Sequence, residues 1–302
     1  MLIVTHRKIF FAITGALIVL SLGALVFFGL RLGTDFTGGT LAQITYEQGR
    51  PDAKALSLAL DEAGFAGYSL RGAGESDYIL RAGSLTDEMR GGLGATASIK
   101  GVFPATIAEL TEVGPTIGLE LRNKAIVAIA LVMFAILLFI AFAFRKVSKP
   151  VSSWIYGLIA LVTLIHDVIV PVGFYSVLGH YAGAQVDTLF VTAILTVLGF
   201  SIHDTIVVFD RVRENLRVNQ ERGRREDFAE TAGRSLGQTF VRSINTSLTV
   251  LITLLALFFI GPDSTKDFAL TLLVGIIAGT YSSIFLATPL LVTTERWFAK
   301  RR

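Results

Sequence analysis

Cysteine is absent from the 302-residue sequence, which excludes disulfide bonds, iron–sulfur clusters and thiolate zinc sites. The four histidines are scattered without the spacing of a metal site, and no Walker motif is present, so the chain has no evident means of using ATP. Charged residues are also scarce, at 17% against about a quarter in ordinary soluble domains. With 52% hydrophobic residues and a mean hydropathy of +0.63, this deficit indicates a membrane protein.

Six apolar segments are long enough to cross a bilayer, which requires about 20 mostly apolar residues. They predict transmembrane helices at 9–30, 125–144, 151–178, 188–209, 242–260 and 268–293. The first segment follows a basic stretch, as in a secretory signal. It is longer than a signal core and no small-residue cleavage site follows it, so we expect it to be retained as an anchor.

Basic residues cluster at alternate ends of these segments, and by the positive-inside rule those ends face the cytoplasm. The opposite short loops, 179–187 and 261–267, contain a single lysine or arginine, Lys266. We therefore predict cytoplasmic termini in a multi-pass protein of the cytoplasmic membrane. The basic cytoplasmic loop 210–237 is expected to serve topology and membrane lipids rather than nucleic acid. The basic ends comprise Arg7, Lys8, Arg145, Lys146, Lys149, Arg211, Arg213, Arg217, Arg222, Arg224, Arg225, Arg234, Arg296, Lys300, Arg301 and Arg302.

Residues 34–118, between the first two segments, are polar and mix short apolar runs with helical patterns. The patterns predict strands at 41–46, 78–80 and 105–113, and helices at 52–63 and 85–99, the second capped by Thr86. This order favours a small α+β layer, ferredoxin-like, on the extracytoplasmic side. It contains no histidine and no carboxylate cluster, so we expect a binding module without catalytic residues.

Ionisable residues inside the membrane segments are costly and therefore pose a functional question. Asp204 lies six residues before Asp210, which places it about 9 Å inside the cytoplasmic boundary. Arg242 lies at a similar depth on the next, antiparallel helix. Arg242, Thr246, Thr249 and Thr253 form one polar stripe, and Thr188, Thr192, Thr196, Phe200 and Asp204 form an i+4 series.

His166 and Asp167 add a titratable pair in the middle of the third segment. These residues fit either a structural ion pair with interhelical hydrogen bonds or a proton path. The small-residue stripe of the sixth segment, Thr271, Gly275, Gly279 and Ser283, predicts close helix packing and is one candidate interface with a partner subunit.

Several motifs carry a resemblance to a known family. They are D-F-T-G-G-T at 35–40, V-G-P-T-I-G at 113–118, His166-Asp167, the long run G-F-S-I-H-D-T-I-V-V-F-D-R-V-R-E-N at 199–215, and R-S-I-N-T-S at 242–247. In the first motif, Asp35, Gly38 and Gly39 predict a tight turn rather than a phosphate loop. Together they resemble the SecF family, the membrane subunits of the SecDF protein-export factor, within the resistance-nodulation-division superfamily.

The resemblance implies a subunit that pairs with SecD, associates with the SecYEG channel and uses the proton-motive force to export unfolded polypeptides. It implies that Asp204 and Arg242 carry proton coupling, with a further aspartate from SecD. His166, Asp167, His203 and Thr246 are candidates for the proton path. His203 departs from the asparagine usual in the family. No cofactor, metal or catalytic residue is expected.

Two other functions compete with this one. A proton-driven exporter of small molecules or lipids, from the same superfamily, usually has a large outer loop in each half, whereas this chain has one of about 85 residues. A structural scaffold for the translocon predicts that Asp204 and Arg242 tolerate replacement by a size-matched apolar pair.

Overall fold

The computed structural model describes residues 2–145, 151–224 and 226–300. The chain forms two compact units. One, the membrane unit, comprises residues 1–30, 128–181 and 190–302, and the other, the outer unit, comprises residues 31–127 and 182–189. Five of the basic residues used to orient the chain, Lys146, Lys149, Arg225, Arg301 and Arg302, lie outside the described residues.

Six helices of the described chain are long and apolar enough to cross a membrane, which confirms the predicted number of spans. They are α1 (Arg7–Phe28), α4 (Pro115–Ala143), α5 (Ser153–Ala182), α6 (Thr188–Glu221), α7 (Phe228–Ile260) and a last span that contains α8 (Asp263–Ser282), a π-helical segment (Ser283–Ala287) and α9 (Thr288–Ala299). α5, α6 and the last span bury the largest share of their apolar windows, whereas α1 and α4 expose most of theirs.

The prediction of a loop over 210–237 was wrong. α6 continues to Glu221 and α7 begins at Phe228, so most of this stretch is helical. The hydropathy pattern stops where charges begin, but arginine, glutamate and glutamine are good helix formers. Asn215 also holds the two helices together, because its Nδ2 donates to Ser235 Oγ (2.8 Å) and Gln238 Oε1 (2.9 Å).

The outer unit contains the strands β1 (Gly39–Tyr46), β2 (Ser69–Ala73), β3 (Asp77–Ala82) and β4 (Ala105–Val113) and the helices α2 (Ala53–Glu62) and α3 (Asp87–Ala97). The strands form one antiparallel sheet in the order β2-β3-β1-β4. Its core joins inward-facing strand residues such as Ile44 and Leu80 with Leu56, Leu60 and Leu93 from the helices.

Local signals identified most elements of this sheet but missed β2. Of the five residues of β2, two are exposed, two are half-buried and one is buried, and the strand includes a glycine, so it carries no alternating apolar pattern. The predicted cap at Thr86 is present, because its hydroxyl accepts a hydrogen bond from the Met89 amide at 3.2 Å. Sheet pairing with β3, rather than local preference, explains the strand that the sequence analysis did not predict.

Candidate functional site

Asp204 is buried in the membrane unit, at 3% exposure, on the face of α6 that packs against α7 and α8. Its Oδ2 accepts a hydrogen bond from Ser247 Oγ on α7 at 3.3 Å. Ser247 Oγ in turn lies 2.6 Å from Thr280 Oγ1 on α8. A single carboxylate is therefore connected through hydroxyl groups to both neighbouring helices.

The Thr280 hydroxyl has two acceptors within reach. It lies 2.6 Å from Ser247 Oγ and 2.8 Å from the carbonyl oxygen of Ile276 in its own helix. A hydroxyl carries one proton, so it donates to one of them at a time. The hydrogen bonds of Ser247, and through them those of Asp204, therefore depend on which acceptor the Thr280 hydroxyl uses.

Arg242 does not pair with Asp204 in this structure. Among residues 2–145, 151–224 and 226–300, no carboxylate oxygen lies within 4.0 Å of its guanidinium, and its side chain is exposed. It lines an open groove of about 480 Å³ between α6 and α7, together with Asp210, Arg211 and Glu214. The structural ion pair considered from the sequence is therefore not formed.

The predicted stripe on α7 does share one face, but that face points away from the rest of the chain. Arg242, Thr249 and Thr253 are exposed and Thr246 is half-buried. Each threonine hydroxyl donates to a carbonyl of its own helix; that of Thr246, for example, bonds the Arg242 carbonyl at 2.8 Å. The inward face of α7 instead presents Ser243, Ser247 and Leu254.

The series predicted on α6 does not form one face. Thr192 and Thr196 are exposed, whereas Asp204 is buried. Each i+4 step advances about 40° beyond a full turn, so the four steps from Thr188 to Asp204 add up to about 160°. His203 is exposed and continues the outward polar face of Thr192 and Thr196. α6 and α7 thus each carry an outward polar stripe inside a membrane segment.

Asp167 forms a second buried polar cluster. Its Oδ1 lies 2.8 Å from Nδ1 of His166, and its Oδ2 accepts hydrogen bonds from Ser282 Oγ at 2.8 Å and from Ser201 Oγ. The carboxylate therefore connects α5, α6 and α8. His166 is 1% exposed, and its Nε2 has no hydrogen-bond partner within the described part of the chain.

This cluster is separate from that of Asp204 but lies beside it. Ser201 and Asp204 are three residues apart on α6, and Thr205 Oγ1 lies 2.9 Å from Ser283 Oγ at the start of the π-helical segment. π-Helical insertions are rare and occur often at functional sites. The two predicted groups of ionisable residues, Asp204 and His166-Asp167, therefore share the α6–α8 contact, while Arg242, His203 and Thr246 lie on the outer faces.

The small-residue stripe of the last span packs inside the chain. A side chain at Gly275 would overlap Val197, and a Cβ at Gly279 would lie 2.8 Å from Ser201 Cβ, both on α6. Thr271 and Ser283 are fully buried. The predicted close packing is confirmed, but the stripe contacts α6 and is not available to another subunit, so its use as a partner interface was wrong.

Asp35, Gly38 and Gly39 lie in the outer unit, where a helical turn (Thr34–Thr37) precedes β1. Both glycines have positive φ, 79° and 133°, as the predicted tight turn requires. The Asp35 carboxylate bonds Thr188 at the first turn of α6. The motif therefore belongs to a structural junction rather than to the buried clusters.

Sequence reasoning missed the hydroxyl groups that surround the two carboxylates, Ser201, Ser247, Thr280 and Ser282. Ser243 and Ser247 are spaced i, i+4, a weak signal of a second polar face on α7. That signal could have been weighed against the arginine and threonine stripe. Serine and threonine are common in membrane helices, so only packing distinguishes partners of Asp204 from self-bonded residues.

Residues 95–297 match the family described as Protein export membrane protein SecD/SecF, C-terminal, and residues 23–49 match the SecD/SecF GG motif. The Protein translocase subunit SecF of Thermobaculum terrenum is 44% identical over 97% of this chain and 93% of its own. The crystal structure of SecDF from Thermus thermophilus, described as a translocon-associated membrane protein, is similar with a TM-score of 0.83 and 33% identity. A SecDF structure described as the super-membrane-facing form gives a TM-score of 0.67 at 33% identity.

The match covers 97% of this chain but only 38% of the Thermus SecDF chain, and for the super-membrane-facing form the shares are 96% and 38%. The similarity therefore extends over the outer and membrane units and confirms the resemblance found in the motifs. This multi-pass membrane chain belongs to the SecD/SecF family of protein export membrane proteins.

Proposed function

We propose that this chain is a SecF subunit which, together with SecD and the SecYEG channel, uses the proton-motive force to help export unfolded polypeptides. The SecF relative reported above is named a protein translocase subunit, and the Thermus SecDF is described as translocon-associated. The chain spans 38% of the length of SecDF, which leaves a larger portion to be supplied by a SecD partner. No relative reported above is named an exporter of small molecules.

The observation that carries proton coupling is the burial of Asp204 among hydroxyl groups, without a cation at bonding distance in the described residues. An ionised carboxylate in such a place is costly. Whether it holds a proton therefore depends on which charges approach it. Bringing Arg242 or a partner cation closer favours the ionised form, and removing it favours the protonated form.

The outward polar stripes support a SecD half as the missing neighbour. Arg242 and His203 sit on faces of α6 and α7 that would otherwise contact hydrocarbon. A second half with its own carboxylate would cover both faces and compete with Asp204 for the arginine. In this arrangement Asp204 binds and releases protons, Arg242 and His203 face the partner, and the Asp167 cluster completes the path beside α8.

Proton movement supplies modest work, about 2.3 kcal/mol per charge per 100 mV. That is enough to bias which acceptor the Thr280 hydroxyl uses and how α6, α7 and α8 pack. It is not enough for one proton to unfold a cargo domain. The chain would thus act by repeated conformational steps on polypeptide that is already unfolded.

Domain boundaries and orientation belong to the same proposal. We place residues 34–118 on the periplasmic side, both termini in the cytoplasm, and the spans at the six predicted segments. The lysine and arginine asymmetry supports this orientation, with basic ends near membrane lipid headgroups. The β-α-β-β-α-β order and the strand order β2-β3-β1-β4 favour a ferredoxin-like fold for the outer domain, which would contact the translocating polypeptide.

The decisive experiment compares Asp204→Asn with Asp210→Asn in proteoliposomes that contain the full complex. Both changes remove one carboxylate from α6, but the Asp210 side chain is 67% exposed. Asp204→Asn should abolish stimulation of export by an imposed proton gradient while assembly with SecD is intact, and Asp210→Asn should retain it. Full stimulation with Asp204→Asn would exclude proton coupling at this residue.

Arg242 provides a second arm. Arg242→Lys keeps the charge but loses the planar fork, so coupling should be reduced rather than preserved. If a double change of Asp204→Leu and Arg242→Leu assembled and exported normally, the chain would be a structural scaffold.

Co-purification from native membranes tests the partners, and absence of both SecD and SecYEG would contradict the proposed complex.

Orientation is testable because the chain has no cysteine of its own. Glu75→Cys in the outer unit and Gln220→Cys at the end of α6 are both exposed positions. An impermeant thiol reagent should label the first and not the second in intact cells. The reverse pattern would overturn the orientation.

A further inference from the structure

The D-F-T-G-G motif is not explained by the buried carboxylates, yet it makes specific contacts in the outer unit. Asp35 Oδ2 accepts two hydrogen bonds from Thr188, from the amide at 2.9 Å and from the hydroxyl at 2.7 Å. Thr188 begins α6. The first amides of a helix have no partner within it, and a carboxylate there is favoured by the helix dipole.

A second set of contacts holds the same junction through the backbone. The Gly33 amide donates to the Val186 carbonyl at 2.8 Å, and the Val186 amide donates to the Arg31 carbonyl at 2.7 Å. These bonds form a short parallel bridge between the two segments. Four hydrogen bonds therefore attach the residues that precede β1 to the start of α6. Two belong to the backbone bridge, and two are accepted by Asp35.

The two glycines bring this junction against two further elements. A Cβ at Gly38 would lie 2.7 Å from Pro115 Cα at the start of α4, and a Cβ at Gly39 would overlap the Ala82 carbonyl at the end of β3. Both glycines also have the positive φ that disfavours other residues. No other side chain fits here without moving α4 or the sheet.

α6 is a continuous helix that carries Asp204 about 24 Å along its axis from Thr188. We propose that Asp35 is a positioning residue which, with Gly38 and Gly39, clamps the start of this helix to the first strand of the outer sheet. A displacement of β1 is then transmitted to the helix that carries Asp204, and the reverse. This inference rests on the proposed role of Asp204 in proton coupling.

The test uses the full complex and three variants. Asp35→Ala removes the oxygen that accepts both hydrogen bonds, Asp35→Asn keeps one side-chain oxygen as an acceptor, and Asp52→Ala is the control. Asp52 is the N-cap residue of α2 in the same outer unit but makes no side-chain capping bond there. Hydrogen exchange of the first amides of α6 reports on the clamp without any need for export activity.

Asp35→Ala should exchange these amides about 5- to 10-fold faster, the usual size of a lost cap. It should also lose gradient-stimulated export per assembled complex. Asp35→Asn should restore most of both, and Asp52→Ala should change neither. Unchanged exchange in Asp35→Ala would show that the clamp does not hold α6. Faster exchange with full export would show that Asp35 only caps the start of α6 and has no role in coupling.

A covalent replacement covers the case in which Asp35→Ala fails to assemble. The double variant Asp35→Cys with Thr188→Cys should be impaired when reduced and recover export when the disulfide forms. A disulfide that forms without recovery would overturn the proposal. Asp204→Asn in the same assay separates the two hypotheses: if it abolishes stimulation while Asp35→Ala does not, only the clamp fails, and if neither does, the proposed function fails with it.

Discussion

Replacing Gly279 with alanine tests the contact between α8 and α6 that positions both buried carboxylates. The new Cβ would lie 2.8 Å from Ser201 Cβ and 3.0 Å from its Oγ. Carbon atoms pack best at about 3.5–4.0 Å, so the helices must separate by roughly 1 Å. The nearest atom is Ser201 Cβ, which is fixed to the backbone and cannot swing aside. Overpacking of this kind costs about 1–3 kcal/mol.

A matched control removes the effect of glycine itself. Gly199 also lies in a membrane helix, but a Cβ there meets no atom within 4 Å. Alanine is favoured over glycine in a helix by up to about 1 kcal/mol. That gain applies to both variants, so the difference between Gly279→Ala and Gly199→Ala isolates the contact with Ser201.

Circular dichroism melting in one detergent, at one scan rate, measures this difference. Unfolding of membrane proteins is commonly irreversible, so apparent midpoints are compared at fixed conditions. A difference of 1–3 kcal/mol corresponds to roughly 2–12 °C, with Gly279→Ala the lower. Since the Ser201 hydroxyl donates to Asp167, the same change should also disturb the Asp167 cluster. An apparent midpoint for Gly279→Ala equal to or above that of Gly199→Ala would refute the packing argument.

Three further predictions address other polar contacts. Ser247→Ala removes the hydroxyl that bonds Asp204 and should lower gradient-stimulated export, whereas Ser243→Ala should not, because the buried Ser243 hydroxyl has no partner in the described residues. Asp167→Leu leaves three donors without their acceptor and should destabilise the chain by about 2–5 kcal/mol in the same melting assay; a change below 1 kcal/mol would contradict the cluster. The hydrogen bond from Arg234 lowers the pKa of Glu226 from 4.5 to about 2. Its contribution to stability is therefore complete above pH 4.5 and lost as pH falls through about 2, so the midpoints of wild type and Glu226→Gln should converge over that range.

The class of the protein, its number of spans and its family follow from the amino-acid sequence alone. These follow from long apolar runs and contiguous motifs, which are local properties of the chain. Asp204 is a candidate site residue on the sequence alone, because a carboxylate within an apolar run is costly wherever the helix faces. Most of the outer sheet followed from short patterns with turn signals, with the short strand β2 as the exception.

Which polar residues meet depends instead on how the helices pack. Asp204 and Arg242 lie at similar depth by residue counting, but the helix rotation that turns Ser247 inward and Arg242 outward is set by packing. The glycine stripe of the last span could have faced a partner or a neighbouring helix, and in the structure it packs against the neighbouring helix α6. The hydrogen bond that Thr188 donates to Asp35 joins residues 153 positions apart. No local pattern encodes that distance, because it arises when the outer sheet and the start of α6 fold against each other.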